Sequence, residues 1–500
     1  MLKIDNLTIV TNKGRKLVDD FCFVLNDRDK VALIGEEGNG KSTLLKIIAG
    51  LETDSYVSYS GKIFADGKIG YLPQSIDESF LDLSIEEFIA DDLDYSILYE
   101  IINRIHIDYR LFSGRTMKTL SGGERVKASL IRMLYQKPDI LLMDEPSNDL
   151  DLKTLIWLEE FIRNTDKALI FVSHDETLLS NCANGILHLE QLKRKSETKI
   201  TYSGLGYDEY IKSRNAFISR NNMIAAKERA QLNKQLEKWR KIYQSVEHRQ
   251  NTISRGDPHG AQMLKKKMHT VKAQGRNIEE KRKNLTDKYE PEEAIDVFFE
   301  EVNINPNKII LELDINELKI NDRVLSKDIH LYVEAKDKIC IIGDNGTGKS
   351  TLIRIIKDEL LKREDIKVGY MPQNYYEVMD YNAGVLDYLW DRRSMADRAK
   401  IQSFLGALRF TTEEMEHPIG ELSDGQKCKI LLVKLILDRC EVLILDEPTR
   451  NLSPLSGPVI RNILNEYDGC IISVSHDRKY ISEVARKVYE LTSNGLLLLE

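Results

Sequence analysis

The sequence predicts an α/β protein in which two similar domains are joined by a long antiparallel α-helical hairpin. Two copies of the pattern G-x-x-x-x-G-K-[ST] predict the repeated domains, and they lie at Gly35–Ser42 and Gly343–Ser350. A heptad spacing of apolar residues between the copies predicts the hairpin. At 500 residues the chain is too long for a single core. We therefore expect a first domain at 1–196, a hairpin at 197–298 and a second domain at 299–500.

Each copy of the pattern follows a short apolar strand and precedes a helix-like segment that begins Ser-Thr-Leu. This order of strand, loop and helix is the context in which the pattern binds phosphate. Glycines let backbone N–H groups surround the phosphates, the lysine reaches the outer phosphates, and the serine hydroxyl is a ligand for Mg²⁺. The predicted ATP-binding residues of the two loops are Gly35, Gly38, Asn39, Gly40, Lys41, Ser42, Thr43, Gly343, Asn345, Gly346, Gly348, Lys349, Ser350 and Thr351.

The same further motifs follow both loops in the same order. In the first half they are Gln74, Leu-Ser-Gly-Gly-Glu at 120–124, Asp-Glu-Pro at 144–146 and Ser-His-Asp at 173–175. In the second half they are Gln373, Leu-Ser-Asp-Gly-Gln at 422–426, Asp-Glu-Pro at 446–448 and Ser-His-Asp at 475–477. The last three motifs are each offset by 302 residues. The chain resembles the ATP-binding cassette family, whose signature is Leu-Ser-Gly-Gly-Glu, and this resemblance implies two phosphate-loop cassettes in tandem.

The acidic pairs at the strand ends have a predicted role in catalysis. An acidic side chain that closes a buried apolar strand is costly unless it meets a cation, so Asp144 and Asp446 are predicted to bind Mg²⁺. The glutamates that follow them, Glu145 and Glu447, fit general bases that orient or deprotonate the attacking water. The chemistry of the strand ends therefore predicts an ATPase that depends on Mg²⁺.

The family resemblance implies further catalytic and metal-binding residues. His174 and His476 look like the family's switch histidines at the γ-phosphate, and Gln74 and Gln373 look like its glutamines that sense metal and water. Taken alone, a Ser-His-Asp at a strand end is more often structural. With the carboxylates, the predicted catalytic residues are Glu145, Glu447, His174, His476, Gln74 and Gln373, and the predicted Mg²⁺ ligands are Ser42, Gln74, Asp144, Ser350, Gln373 and Asp446.

In this family the signature of one cassette closes the ATP bound by the other. The resemblance therefore implies a head-to-tail pairing within one chain, as a monomer, through Ser121, Gly122, Gly123, Glu124, Ser423, Gly425 and Gln426. Asp424 departs from the first signature, and an acidic side chain near phosphates is unfavourable, so we expect slower hydrolysis at the first ATP site. Neither loop has an aromatic residue at the spacing usual for stacking adenine, which leaves recognition of the base open.

Composition indicates a soluble cytoplasmic protein. The six cysteines contain no C-x-x-C pair, so neither a zinc site nor a disulfide framework is predicted. The N-terminus lacks a signal-peptide pattern, and the most apolar stretch is far shorter than the ~20 residues of a membrane-spanning helix. We therefore expect no membrane domain.

Between the cassettes, apolar residues recur every seven positions, at Ile218, Ala225, Leu232, Trp239 and Val246. A second run with the same alternation extends from Leu264 to Tyr289, and turn-forming residues occupy 254–260. These patterns predict two long amphipathic helices with facing apolar seams and a tip at 248–260. A helix of ~40 residues rises ~60 Å.

The hairpin is basic although the whole chain carries a net charge of -8. Residues 207–290 contain 20 Lys or Arg against 10 Asp or Glu, which gives +10 and leaves -18 for the rest. A solvated coiled-coil spacer would also explain this charge, whereas contact with phosphates of a folded RNA explains both charge and length. The candidate RNA contacts near the tip are His248, Arg249, Ile253, Arg255, His259, Lys265, Lys266 and Lys267.

Two cassettes, no membrane domain and a basic connector resemble the ABC-F translation factors. This resemblance implies binding in the ribosomal tRNA exit site, with the connector at the large-subunit RNA and the P-site tRNA. Thr-Arg-Asn-Leu-Ser-Pro at 449–454 is similar to the antibiotic-resistance branch of the Lsa/Vga type. The implied function is displacement of lincosamides, streptogramin A compounds and pleuromutilins at the peptidyl-transferase centre, with release by ATP hydrolysis. A housekeeping translation factor and the ATPase subunit of a membrane exporter remain alternatives.

Overall fold

The computed structural model describes residues 1–12, 14–51, 57–107, 114–148, 150–192, 197–252, 258–289, 304–320, 323–390, 395–408, 410–450 and 452–499. Contacts between residues divide the chain into two compact units. One unit comprises Met1–Tyr207 with Glu292–Glu500, and the other is Asp208–Pro291. In the described parts of the chain, no helix combines the length and the hydropathy that crossing a bilayer requires.

The first cassette contains a three-stranded antiparallel sheet and a six-stranded mixed sheet. Their strand orders are β2-β1-β4 and β5-β6-β7-β3-β8-β9, and β9 alone runs antiparallel to its neighbour in the larger sheet. The strands are β1 Leu2–Thr11, β2 Lys16–Leu25, β3 Lys30–Ile34, β4 Val57–Ala65, β5 Ile69–Leu72, β6 Ile140–Asp144, β7 Ala168–Val172, β8 Gly185–Leu192 and β9 Glu197–Ser203. The helices are α1 Lys41–Ile48, α2 Ile85–Ile89, α3 Tyr95–Arg104, α4 Gly122–Tyr135, α5 Leu152–Asn164 and α6 Glu176–Cys182.

The connecting unit consists of two helices, α7 Tyr207–Thr252 and α8 Pro258–Lys283. At ~1.5 Å per residue, the 46 residues of α7 rise about 69 Å. Val246, Met268 and Val271 form a buried cluster against which Trp239 and Tyr243 pack, so the predicted facing seams are confirmed. Proline at the first position of α8 fits a helix start, because its missing N–H has no partner there.

The predicted second seam is wrong at its C-terminal end, because α8 ends at Lys283 and residues 284–289 are not helical. Asn222 replaces the helical hydrogen bonds there: its amide donates to Tyr289 O at 3.0 Å and accepts from Tyr289 N at 2.9 Å. Glu228 accepts from the N–H of Thr286 at 2.8 Å. Side chains of α7 therefore hold this returning segment.

The second cassette repeats the architecture with a two-stranded sheet and a six-stranded sheet of order β13-β14-β15-β12-β16-β17. Its strands are β10 Ile309–Ile320, β11 Arg323–Glu334, β12 Lys338–Ile342, β13 Val368–Met371, β14 Val442–Asp446, β15 Cys470–Val474, β16 Lys487–Thr492 and β17 Gly495–Leu498. Its helices are α9 Lys349–Leu361, α10 Val385–Trp390, α11 Met395–Ala407, α12 Thr412–Glu416, α13 Asp424–Asp438, α14 Gly457–Glu466 and α15 Arg478–Glu483. The predicted fold of two α/β cassettes joined by a helical connector is confirmed.

The central strands are buried on both faces, which explains their continuous apolar sequences. Every residue of β3, β6 and β7 is buried, as is every residue of β14 and β15. Helix α1 packs on this sheet through Leu44 and Leu45, which share a core with Leu33 and Ile140. Parallel strands end at one edge of the sheet, so the phosphate loop after β3 and the carboxylate that closes β6 lie together.

Candidate nucleotide sites

The first phosphate loop has the backbone shape that its glycines permit. Gly35, Gly38 and Gly40 have φ angles of 152°, 72° and 93°. A side chain at Gly35 would approach the carbonyl oxygen of Leu189 to 2.3 Å, whereas the space at Gly38 is open. Lys41 donates from Nζ to the carbonyl oxygens of Gly35 at 2.9 Å and Glu36 at 3.1 Å. The loop is therefore a preformed cradle at the N-terminus of α1.

The second phosphate loop has the same conformation. Gly343, Gly346 and Gly348 have φ angles of 150°, 83° and 99°. Lys349 donates to the carbonyl oxygens of Gly343 and Asp344, both at 2.9 Å. Gly348 precedes α9 as its N-cap in the left-handed conformation, as Gly40 precedes α1. The sequence repeat is thus a structural repeat at the level of single hydrogen bonds.

The predicted metal pair of the first cassette is in direct contact. Asp144 is the last residue of β6 and only 1% exposed. Its carboxylate accepts from Ser42 Oγ at 3.0 Å and from the hydroxyl of Tyr71 at 3.2 Å. Burial raises the pKa of Asp144. A hydroxyl and a buried carboxylate beside a phosphate loop are oxygen ligands that fit Mg²⁺.

Two predicted catalytic residues of the first cassette contact the carboxylate of a third, Glu145. Glu145 accepts from Gln74 Nε2 at 3.1 Å and lies 2.9 Å from His174 Nε2. Asn148 donates a third hydrogen bond at 2.5 Å. Burial acts to raise the pKa of Glu145, but His174, Lys41 and Asn148 outweigh it and lower the pKa to about 2. This glutamate is therefore an ionised hydrogen-bond acceptor.

The second cassette surrounds its glutamate differently. Glu447 accepts from the backbone N–H of His476 at 3.3 Å, while His476 Nε2 lies 3.8 Å from its carboxylate. Burial raises the pKa of Glu447 to about 8 and that of Asp446 to about 6. Burial and Lys349 lower the pKa of His476 to about 4. The surroundings therefore favour the ionised carboxylate at Glu145 and the protonated carboxyl group at Glu447.

Both cassettes line the cavity at the second site. It has a volume of about 1160 Å³, and Lys349, Ser350, Thr351, Gln373, Asp446, Glu447 and His476 line it from the second cassette. The first cassette contributes Ser147, Asn148 and Asp175 to the same wall. Ser350 and Gln373 thus share one cavity with the strand-end carboxylates. The volume is sufficient for a nucleoside triphosphate.

At the first site, the signature of the second cassette faces the phosphate loop of the first. The N–H of Gly425 donates to Glu37 at 2.5 Å. The hydroxyl of Ser423 caps α13 by accepting a hydrogen bond from the N–H of Gln426. The side-chain oxygen of Gln426 in turn accepts a hydrogen bond from the N–H of Ser423. The cassettes are therefore paired head to tail at this loop.

Across the second site, the first cassette contacts the opposite loop through the segment after its acidic motif. Asp151 accepts a hydrogen bond from the N–H of Asn345, and Lys153 lies 2.7 Å from the carboxylate of Asp344. The first signature forms the same kind of cap, with reciprocal bonds between Ser121 and Glu124. Gly122 starts α4, and Gly123 lies against Thr154. Closure of the second nucleotide by Ser121 and Gly123 stays a prediction.

The ATP-binding domain model described as "ABC transporter" matches residues 18–148 and 326–450. The chain belongs to the ABC transporter family. Matched regions cover both phosphate loops and both strand-end carboxylates, so the nucleotide is ATP and the enzyme is an ATPase.

Relatives of this ABC ATPase match nearly its whole length. The ATP-binding protein Uup of Escherichia coli K12 is 28% identical over 96% of this chain and 78% of its own length. ABC transporter F family member 5 of Arabidopsis thaliana is 26% identical over 99% of this chain and 75% of its own length. ATP-binding cassette sub-family F member 2 of Bos taurus is 26% identical over 97% of this chain and 80% of its own length. These matches include the connector as well as both cassettes.

A solved structure shares the fold of this ABC ATPase. It is the complex of the archaeal ribosomal stalk protein aP1 with the archaeal ribosome recycling factor aABCE1. The TM-score is 0.59 at 16% identity, over 95% of this chain and 87% of that one. At this identity the likeness supports the architecture of paired cassettes.

Ser453, which departs from the repeat, contacts an acidic residue in the phosphate loop of the opposite cassette. Glu36 accepts from Ser453 Oγ at 2.6 Å and Ser456 Oγ at 2.5 Å, and Lys429 lies 3.3 Å away. Burial acts to raise the pKa of Glu36, but Lys429 and the two hydroxyls outweigh it and lower the pKa to about 2. The other departure, Asp424, lies 3.0 Å from Lys427, which offsets its charge.

Sequence reasoning missed an arginine beside each phosphate loop. Arg15 donates to Gly38 O at 3.3 Å and to Gln191 at 2.5 Å. Arg323 lines the second cavity together with Ile320 and Leu325. Each arginine precedes the lysine of its own loop by 26 residues. This equal spacing in the two halves of the sequence could have identified both arginines as site residues. A planar guanidinium stacks on aromatic rings, which gives adenine a surface where no aromatic side chain was found.

The hairpin residues near the tip are placed on two helices. His248 and Arg249 are exposed on α7, and His259 and Lys265, Lys266 and Lys267 are exposed on α8. Ile253 and Arg255 lie outside the described residues. Exposure on both helices leaves these basic groups accessible to a partner.

Proposed function

We propose that this ABC ATPase is an ABC-F protein that binds the ribosome, enters the tRNA exit site and counteracts antibiotics at the peptidyl-transferase centre. The observation that carries the proposal is a basic helical hairpin, of which one helix is 46 residues long, joined to two complete ATP sites. The solved relative named above is a ribosome recycling factor. The proposed drugs are lincosamides, streptogramin A compounds and pleuromutilins, and the motivating features are Ser453-Pro454 and the extended hairpin.

The proposed ATPase mechanism assigns binding and water activation to separate groups. Lys41 and Lys349 turn from the loop carbonyls to the outer phosphates. Ser42 or Ser350, together with the strand-end aspartate and the glutamine, would hold Mg²⁺, which would supply positive charge to the phosphates.

Glu145 and Glu447 orient the attacking water. The ring of His174 holds the carboxylate of Glu145, the backbone N–H of His476 holds that of Glu447, and both imidazoles are proposed to contact the γ-phosphate. The roles of the remaining site residues follow the sequence prediction. The domain limits at 196 and 298 also remain as proposed.

RNA binding by the hairpin follows from charge and exposure. Lys265, Lys266 and Lys267 form three adjacent exposed cations, and His248 and Arg249 add basic groups on the other helix. Such groups bind phosphates irrespective of sequence, and their binding weakens as salt increases. The proposed partners are therefore the large-subunit RNA and the P-site tRNA.

A housekeeping role in translation is the second candidate. It is favoured by relatives such as Uup and the F family members, whose matches run through both cassettes and the connector. It requires the same ATPase residues and differs only in its outcome for drug susceptibility. The exporter reading would need a membrane partner that co-purifies with the chain, and it leaves the hairpin unexplained.

Ribosome binding is tested with Glu145→Gln combined with Glu447→Gln. If hydrolysis drives release, this variant should bind ATP and sediment with ribosomes, whereas the wild type should cycle off. A double variant that binds ATP and sediments free of ribosomes would overturn ribosome binding. A chain shortened between Gln244 and Lys265 is the matched control, since its cassettes are intact.

Drug protection is tested by minimum inhibitory concentrations in a susceptible host. The wild-type chain should raise them for the three drug classes, and the shortened chain should hydrolyse ATP without protecting. Unchanged susceptibility with a variant that binds ribosomes would replace the resistance role with the housekeeping one.

A further inference from the structure

Four charged residues at the contact between the cassettes occupy two pairs of equivalent positions. The offset of 302 residues relates Glu159 to Arg461 and Glu176 to Arg478. The first cassette therefore has an acidic residue at both positions, and the second cassette has a basic residue at both. Equivalent helices carry them, since Glu159 lies on α5 and Arg461 on α14.

The four residues form reciprocal ion pairs across the contact. Arg461 binds Glu176 through two nitrogens, at 2.7 Å and 3.2 Å. Arg478 pairs with Glu159 and lies 3.0 Å from Asp175. Each position on one cassette thus meets the other position on its partner, as a pseudo-twofold relation requires.

Burial makes the sign of these charges decisive. Arg461 is 3% exposed and Glu159 is 8% exposed. Each is also held within its own cassette: Arg461 donates to Glu483 at 2.7 Å, and Glu159 accepts from Asn181 at 3.1 Å. A buried charge that loses its partner, or meets a like charge, strongly opposes association.

We propose that Glu159, Glu176, Arg461 and Arg478 determine which cassettes pair. Two first cassettes would oppose Glu159 to Glu176 twice, and two second cassettes would oppose Arg461 to Arg478 twice. A first cassette therefore accepts a second cassette and rejects a copy of itself. These charges select the partner before any nucleotide or ribosome is involved.

A separate contact favours the same pairing. Glu36 is matched by the hydroxyl of Ser453, whereas the equivalent position in the first cassette is Asp151. Pairing of two first cassettes would thus place Glu36 against a carboxylate. Glu176 and Arg478 each follow a predicted switch histidine by two residues. The charges that select the partner cassette therefore lie next to both catalytic loops.

Charge reversal in the full chain tests the proposal. One half-reversed chain carries Glu159→Arg with Glu176→Arg, and the other carries Arg461→Glu with Arg478→Glu. The fully reversed chain carries all four substitutions. Pairing is read by a short bismaleimide crosslink between Lys153→Cys and Asp344→Cys, with Cys22→Ser to remove the exposed native thiol.

The half-reversed chains should lose most of the intramolecular crosslink and at least tenfold in ATPase rate, and the fully reversed chain should recover both. Mixing the two half-reversed chains should give a one-to-one dimer by native mass spectrometry, because opposite charges then meet only between chains. This mixing arm keeps the test decisive if the fully reversed chain does not fold.

Two results would overturn the proposal. One is a half-reversed chain that crosslinks as well as the wild type. The other is a pair of folded half-reversed chains that stay monomeric on mixing while a folded, fully reversed chain also fails to recover the crosslink.

Discussion

The N–H of Gly425 in the second cassette donates a hydrogen bond of 2.5 Å to the carboxylate of Glu37 in the phosphate loop of the first. This donor belongs to the signature turn at the N-terminus of α13, where anions are favoured by free N–H groups and by the helix dipole. Glu37 therefore occupies a position suited to a phosphate oxygen of the first nucleotide.

We expect Glu37→Gln to tighten ATP binding at the first site. Removal of a competing acidic group near the phosphates should lower the Kd about tenfold, since two charges ~4 Å apart interact by about 1 to 4 kcal/mol. Fluorescent ATP titration is the measurement, in a chain whose second site is silenced by Lys349→Ala.

The equivalent residue in the second loop, Asn345, provides the matched control. Asn345→Ala with the first site silenced by Lys41→Ala removes no charge and should not tighten binding. Weaker or unchanged affinity in Glu37→Gln would show that Glu37 does not compete with the nucleotide.

Ser453→Asp restores the aspartate of the first cassette and should nevertheless impair the enzyme. The new carboxylate would face the buried Glu36, and like charges in such a position cost several kcal/mol. We expect at least a tenfold fall in ATPase rate, with Glu36→Gln in the same chain restoring most of it. A double-mutant cycle of the two substitutions gives the coupling free energy.

Ser453→Asn is the neutral control for this pair, because its amide can donate to Glu36. It should keep most of the activity. Equal losses in the aspartate and asparagine variants would mean that shape, rather than charge, selects serine at this position.

Arg323→Ala should weaken ATP at the second site while leaving the phosphates bound. Loss of stacking on adenine costs about 0.5 to 2 kcal/mol, which is a rise of about two- to thirtyfold in Kd. Tripolyphosphate, which has no base, should bind the variant and the parent chain equally, and Arg323→Tyr should retain ATP affinity. An equal loss for tripolyphosphate would place the guanidinium at the phosphates instead.

The phosphate loops, their preceding strands and the strand-end carboxylates were predictable because each depends on a short local pattern. Gly40 and Gly348 have left-handed backbones where the motif requires glycine, and Asp144 and Asp446 close buried strands as expected. Such features need no knowledge of the opposite cassette.

Contacts between the cassettes were not predictable in this way. Glu37 and Gly425 are separated by 388 residues, and nothing in either motif identifies the other as its partner. The end of α8 was misplaced for a related reason: Leu285 and Tyr289 continue the apolar spacing, but the side chain of Asn222 binds the backbone of Tyr289 outside a helix.

The hairpin has a close contact between Gly275 on α8 and Trp239 on α7, which predicts the sign of one more substitution. A methyl group at Gly275 would lie 2.8 Å from the indole ring, and the indole N–H is fixed by a 2.7 Å bond to Val271 O. Gly275→Ala should therefore destabilise the hairpin by about 1 to 3 kcal/mol through overpacking. Over most of this range the loss exceeds the ~1 kcal/mol that alanine gains over glycine in a helix, so the net effect is destabilising.

The measurement is hydrogen exchange of amides in α7 and α8, which reports local opening free energy. Gly406→Ala on α11 is the matched control, because a methyl group there has no atom within 4 Å. Exchange should become faster around Gly275, where the added methyl group overpacks, and slower around Gly406, where alanine only favours the helix. Slower exchange around Gly275 would contradict close packing against Trp239. It would also mean that this contact does not exclude a side chain at position 275.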